Sequence, residues 1–239
     1  MLPGRRLKLR KGIIWAVIII LLVGLTQVLL PPILENRVER SLKERLTEAD
    51  YLKVDIQAWP ALASLLGRFH LIRIEARDFV VDKLPVGAFL VEGRKVQLNT
   101  GALYHNGQLL LENAADLRLT VLFTEEGINQ YFWEQVDPQR RFHISLTPEG
   151  AELEGAIVFF GQQLDLTLRG VFDIRDQTRL IFIPEALSVE KVAVPQVLLK
   201  SLVEDKALIM DLAGLPIPLV IDEIRIETGQ LYAFGHYKK

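Results

Sequence analysis

A period-two alternation of apolar and polar residues dominates the chain after residue 50. Leu52, Val54, Ile56 and Ala58 alternate with Lys53, Asp55 and Gln57. That is the pattern of a strand with one face buried. Ile72, Ile74 and Ala76 alternate in the same way with Arg73, Glu75 and Arg77. The period returns at Phe89–Leu98, Leu117–Phe123, Phe142–Leu146 and Leu164–Ile174, and on both sides of Thr228-Gly229. Links such as Pro148-Glu149-Gly150 and Arg175-Asp176-Gln177 are short. Short links predict an antiparallel meander rather than βαβ units.

Helical spacing interrupts the strands. Leu34, Val38, Leu42 and Leu46 recur every four residues among charged neighbours, which predicts a one-faced packing helix. A second helix is predicted over Thr124–Gln135, with Thr124 as N-cap and Glu125 and Glu126 in the first turn. A third is predicted from Pro195 to about Asp205. The stretch "WPALASLLGRFHLIRIEARDF" (Trp59–Phe79) joins two patterns. Trp59-Pro60 ends one strand, Ala61–Leu66 forms a short apolar helix, and Gly67 permits a sharp return. The short helix reads either as a core plug or as a lip at a bilayer surface. Trp59 suits a membrane interface, where an indole has both an apolar and a hydrated neighbour.

Upstream, Gly12–Leu30 holds no charge. Nineteen residues at ~1.5 Å each come close to the length needed to cross the hydrocarbon core. Arg5, Arg6, Lys8, Arg10 and Lys11 precede it, and Pro31-Pro32 follow. The positive-inside rule puts the N-terminus in the cytoplasm and the rest outside. The division expected is a basic stub and transmembrane anchor over 1–32 and an extracytoplasmic domain over 33–239. A cleaved signal peptide is the rival reading, but no small-x-small site stands before Pro31.

Charge and composition narrow the function classes. Of 28 basic residues, five lie in that N-terminal cluster; the other 23 face 30 acidic ones, a net of about −7. So acidic a body does not suit nucleic acid, whose binding rests on neutralised phosphates. With no cysteine there is no disulfide, thiol catalysis or cysteine zinc site. No G-x-S-x-G, P-loop or H-E-x-x-H occurs, and His70, His105, His143 and His236 are scattered. The reading is a non-enzyme with no metal and no cofactor. Hydrolysis of envelope polymers stays as an alternative, because the separation of two carboxylates is a spatial quantity.

Some strands are apolar on both faces: Phe79–Val81, Ala156–Phe160 and Arg179–Pro184. Either the helices at 124–135 and 195–205 cover the second face, or it lines a groove for acyl chains, which needs shape rather than polar motifs. The groove candidates are Leu62, Leu65, Leu66, Phe69, Phe132, Phe160, Phe182, Leu198 and Leu202. An envelope scaffold without lipid is the other alternative.

Three blocks carry a family resemblance. They are the Trp59–Phe79 stretch with its Pro-x-Leu…Leu-Gly-Arg order, "VLFTEEGINQYF" (Val121–Phe132), and "LPIPLVIDEIRIETGQLYAFG" (Leu215–Gly235). With the N-terminal apolar segment, they resemble the LmeA-like phospholipid-binding family of bacterial cell envelopes. Ile128 stands where that family usually has leucine. The resemblance implies an α+β domain outside the cytoplasmic membrane, in which a long curved antiparallel sheet wraps against a few helices. It implies a roll similar to tubular lipid-binding proteins. Phospholipid and membrane are the partners implied, with envelope-assembly proteins besides. No site residue transfers by position.

Overall fold

A computed structural model of the chain describes residues 4–43, 46, 49–106, 110–159, 161–190, 192–194, 208–215, 217 and 220–237. The helix expected over Pro195–Asp205, with Leu198 and Leu202, lies outside these residues, as does Phe160.

Helix α1 spans Gly4–Lys43 and runs through Pro31 and Pro32. Proline has no N–H, so the carbonyls of Gln27 and Val28 lose their helical donors there. The apolar segment and the one-faced helix, separate elements in the sequence pattern, are thus one rod. Leu34, Val38 and Leu42 on its C-terminal part are fully buried, whereas Trp15, Ile20, Leu21 and Val28 are exposed. Among the described residues no helix is long and apolar enough to cross a membrane; the described side chains of α1 begin at Ile14 and omit positions 16 and 19.

Thirteen strands follow among the described residues. The first five are β1 (Tyr51–Gln57), β2 (Arg68–Val81), β3 (Leu84–Leu98), β4 (Leu111–Asn113) and β5 (Asp116–Thr124). Then come β6 (Phe142–Thr147), β7 (Gly150–Phe159), β8 (Gln162–Arg175), β9 (Arg179–Val189) and β10 (Val192–Val194). The last are β11 (Ile209–Asp211), β12 (Val220–Glu227) and β13 (Gln230–His236). Helix α2 (Thr100–Asn106), which has no clear periodicity, follows β3, and α3 (Glu125–Gln135) follows β5. Thr124 caps α3 as expected, its Oγ1 accepting from the Gly127 N–H at 3.1 Å.

The strands pair antiparallel in two sheets. One has the order β1-β2-β3-β5-β13-β12, with β4 beside β3; the other is β10-β9-β8-β7-β6, with β11 on β9. The fold includes one curled half-barrel, and the first sheet buries one face. Register sets side chains in rows across its inner face. Ile74, Val91 and Leu119 form one row, and Ala76, Phe89 and Val121 the next. All six are buried.

Helix α3 closes the open edge of the second sheet. Strand β6 ends that sheet, so its outward N–H and C=O groups have no partner strand. Side chains four apart on α3 and just past its end replace one. Four helical residues rise ~6 Å, close to the ~6.8 Å covered by two strand residues. Glu125 Oε2 accepts from the Leu146 N–H (2.7 Å). Asn129 accepts from the Ile144 N–H and donates to its carbonyl, both at 2.7 Å. Trp133 Nε1 donates to the Phe142 carbonyl (2.7 Å) and Asp137 accepts from the Phe142 N–H (2.9 Å). The N–H of Gly229 takes the Leu146 carbonyl at 3.1 Å.

The doubly apolar strands divide. Phe79 and Val81 are buried in the core. Helix α3 packs on β3, β5 and β6. It does not reach far enough along the second sheet to cover Val158, which is 76% exposed.

Candidate functional site

The inner face has one incomplete row. Ile72, Gly93 and Leu117 lie side by side in register, and the central position has no side chain. A small hollow forms there, walled also by Ile74, Val91, Val96 and Leu98, with Leu111 of β4 at its edge. Val38 of α1 and Ile217, between β11 and β12, make its roof. The lining is apolar throughout. Its volume is about 20 Å³. That is room for one water molecule, and an apolar void of that size stays dry. A hydrocarbon chain enters only if the roof shifts. Neither Val38 nor Ile217 lies on a paired strand, so displacing them breaks no sheet pairing.

A second feature surrounds the 3₁₀ turn Ala61–Leu66. Ala61 and Ser64 are buried under it, while Leu62, Leu65 and Leu66 point outward at 42%, 46% and 68% exposure. Trp59 is 79% exposed. Gly67 ends the turn in the left-handed region at φ 72°, and a Cβ there would meet the Leu98 carbonyl. A cleft of about 420 Å³ opens beside the turn, lined by Trp59, Arg68, Phe69, His70 and Lys95.

The sequence candidates fall in different places. Trp59, Leu62, Leu65 and Leu66 gather on the exposed turn, and Phe69 is buried at the base of the cleft. Phe132 is buried in α3, and Phe182 is half-buried against Phe172, with ring centroids 5.7 Å apart. None of these borders the hollow, whose walls are ordinary strand residues. A clue to the hollow was a glycine at an inward position of an alternating strand. Another was the Leu215-Pro216-Ile217 run, where Leu215 and Ile217 are both buried.

The three sequence blocks now have physical roles. The Trp59–Phe79 block supplies the turn and the wall residues Ile72 and Ile74. The Val121–Phe132 block supplies the Thr124 cap, the buried Ile128 and the Asn129 clamp on β6. The Leu215–Gly235 block supplies the roof residue Ile217. Tyr131 of α3 donates to the Ile209 carbonyl at 3.1 Å. Burial holds its phenol above the ordinary tyrosine value, helped by the negative charges of Asp211 and Asp82.

Carboxylates do share one shallow cleft, on the outer sheet face. Glu92 is bridged to Arg73 and Asp116 to Arg118, each at 3.2 Å. Among the described residues no group of three His, Asp or Glu side chains converges as metal ligands.

No curated protein and no solved structure matches the chain significantly. A family model does, and its match covers every element from the second half of α1 to β13. The model of the LmeA-like phospholipid-binding family matches residues 25–233, and the chain belongs to that family.

Proposed function

We propose that the chain is a membrane-anchored phospholipid-binding protein. It takes an acyl tail into the seam between α1 and the first sheet, at the hollow left by Gly93. Membership of a phospholipid-binding family carries the ligand class. The dry, wholly apolar seam under a two-residue roof supports the place. Each CH₂ buried there contributes ~0.8 kcal/mol, so a few carbons suffice for useful affinity.

The first part of α1 is the anchor. Its uncharged run Gly12–Leu30 follows five cations, its backbone is helical throughout, and its described apolar side chains up to Leu29 are exposed. The domain then lies outside the cytoplasmic membrane of a bacterium, where it handles lipid during envelope assembly. It does so by binding, without catalysis.

Gly93→Ala tests the tail site. A Cβ at Gly93 stands 2.6 Å from Val96 Cγ2 and 3.3 Å from Leu117 Cδ1, so it fills the hollow. Overpacking of this kind typically costs ~1–3 kcal/mol. Uptake of a tail-fluorescent phospholipid from vesicles by the full chain is expected to fall about tenfold or more. The melting temperature should move by only a few degrees. Unchanged uptake would place the tail elsewhere. The small volume of the hollow favours one rival, a scaffold that takes no lipid, and absent uptake by the unaltered chain would establish it.

A further inference from the structure

The exposed turn and the basic cleft beside it have a fixed height on α1. The Ile56 N–H donates to Glu35 Oε1 at 3.0 Å. Further on, Gln27 Nε2 donates to the Ala58 carbonyl (3.3 Å) and the Ala61 N–H donates to Gln27 Oε1 (2.8 Å). Eight helical residues separate Glu35 from Gln27, a rise of ~12 Å. The chain therefore descends along α1 from the end of β1 to the turn, toward the helix's N-terminal end. It stops level with Gln27, inside the uncharged run.

At that level Trp59, Leu62, Leu65 and Leu66 are exposed together. Arg68, His70 and Lys95 line the adjoining cleft, all three exposed. Arg68 lies opposite Gln97 in the β2–β3 register, and His70 falls between the pairs Phe69–Val96 and Leu71–Arg94, as Lys95 does on the other strand. Gln97 turns its amide to Glu112 at 3.2 Å. Arg68 and Lys95 are cations close together on a domain whose net charge is negative. Apolar side chains at the tip with cations just above them match the layering of a bilayer surface, where hydrocarbon lies beneath phosphate.

We propose that the Trp59–Leu66 turn and the Arg68–His70–Lys95 cleft form a bilayer-docking site. The turn inserts its leucines and Trp59 among the acyl chains, and the cleft takes the phosphodiester of an anionic phospholipid. The proposal rests on α1 being the anchor. Docking would hold the domain with one fixed edge on the membrane that supplies its ligand.

The chain has no cysteine, so single labels are clean. Nitroxide at Leu66→Cys, Val23→Cys or Val158→Cys in the full chain, reconstituted in phosphatidylglycerol-containing bilayers, is read for depth. Accessibility to oxygen against a water-soluble nickel complex gives that depth. The labels at 66 and 23 are expected inside the bilayer and the label at 158 in water. Arg68→Gln with Lys95→Gln should lower occupancy of the inserted state about 30-fold, near fivefold per cation. A label at 66 in water while the label at 23 is buried would overturn docking and leave the anchor intact. A label at 23 in water would overturn the anchor itself, and docking with it. Ejection of the label at 66 by inorganic phosphate at constant ionic strength would assign the cleft to free phosphate and overturn the lipid headgroup.

Discussion

Asn129→Leu is expected to destabilise the chain by roughly 2–5 kcal/mol. Asn129 is 1% exposed, and its carboxamide both accepts from and donates to the backbone of Ile144. Leucine keeps much of the volume and removes both bonds. The Ile144 N–H and carbonyl then stay buried without partners, and each such group costs about 1–3 kcal/mol. A mere loss of surface contact would cost far less. The effect is local as well as global, because Glu125, Trp133 and Asp137 hold the same strand edge at neighbouring positions. Hydrogen exchange at Ile144 and Leu146 is expected to speed up before exchange in β3 does. A stability change under about 1 kcal/mol would show that α3 is not what closes that edge.

Leu117→Ala is the second large effect, and its sign under lipid matters more than its size. Leu117 is 7% exposed and borders the hollow. Truncation enlarges a void that has no water to fill it, at a cost of roughly 2–5 kcal/mol. If a tail occupies this seam, lipid refills the space. Phospholipid should then restore much of the lost stability, by the ordinary linkage of a ligand that binds only the folded chain. Phe89→Ala is the comparison. Phe89 is fully buried, packs edge-on against Phe79 at 6.3 Å, and does not border the hollow. Its truncation should cost about 3–5 kcal/mol, with no comparable rescue by lipid. Equal rescue of both variants would mean that lipid stabilises the chain from some other surface.

Much of the fold was legible because its signals are local. Alternation at 52–58 and 72–76 marks strands, which bury Val54, Ile56, Ile72, Ile74 and Ala76, and these strands pair antiparallel. The Thr124 cap needs only three residues of context, and Gly67 only the turn it ends. What the sequence leaves open are relations between distant residues. Alternation marks which face of a strand is buried, but not that Gly93 falls between Ile72 and Leu117. That placement depends on a register set across three strands. Nor does it tell that the strands split between two sheets, or that side chains of α3 replace a missing strand beside β6.

The site followed the same rule. Large apolar residues attract attention in a sequence, so the candidates were leucines and phenylalanines. The hollow is made instead by an absent side chain, with Val38 and Ile217 arriving from elements far apart in the chain. The turn was visible as a motif, and it buries Ala61 and Ser64 while leaving Trp59 and Leu66 exposed. Its height on α1 was not visible, because it depends on two hydrogen bonds of Gln27 across more than thirty residues. Prolines mislead in a related way. Pro31-Pro32 look like a boundary, yet the helix carries through them, which makes the apolar segment and the packing helix one continuous element.

Covalent capture of the tail is the most direct measurement. The full chain in bilayers is mixed with a phospholipid bearing a diazirine near the end of one acyl chain, irradiated, digested and mapped by mass spectrometry. Labels are expected at Ile72, Leu117 and Ile217, beyond whatever labelling occurs along α1 before Leu30. Labels confined to that part of α1 and to the Trp59–Leu66 turn, with none inside the first sheet, would contradict an acyl chain held beneath Val38.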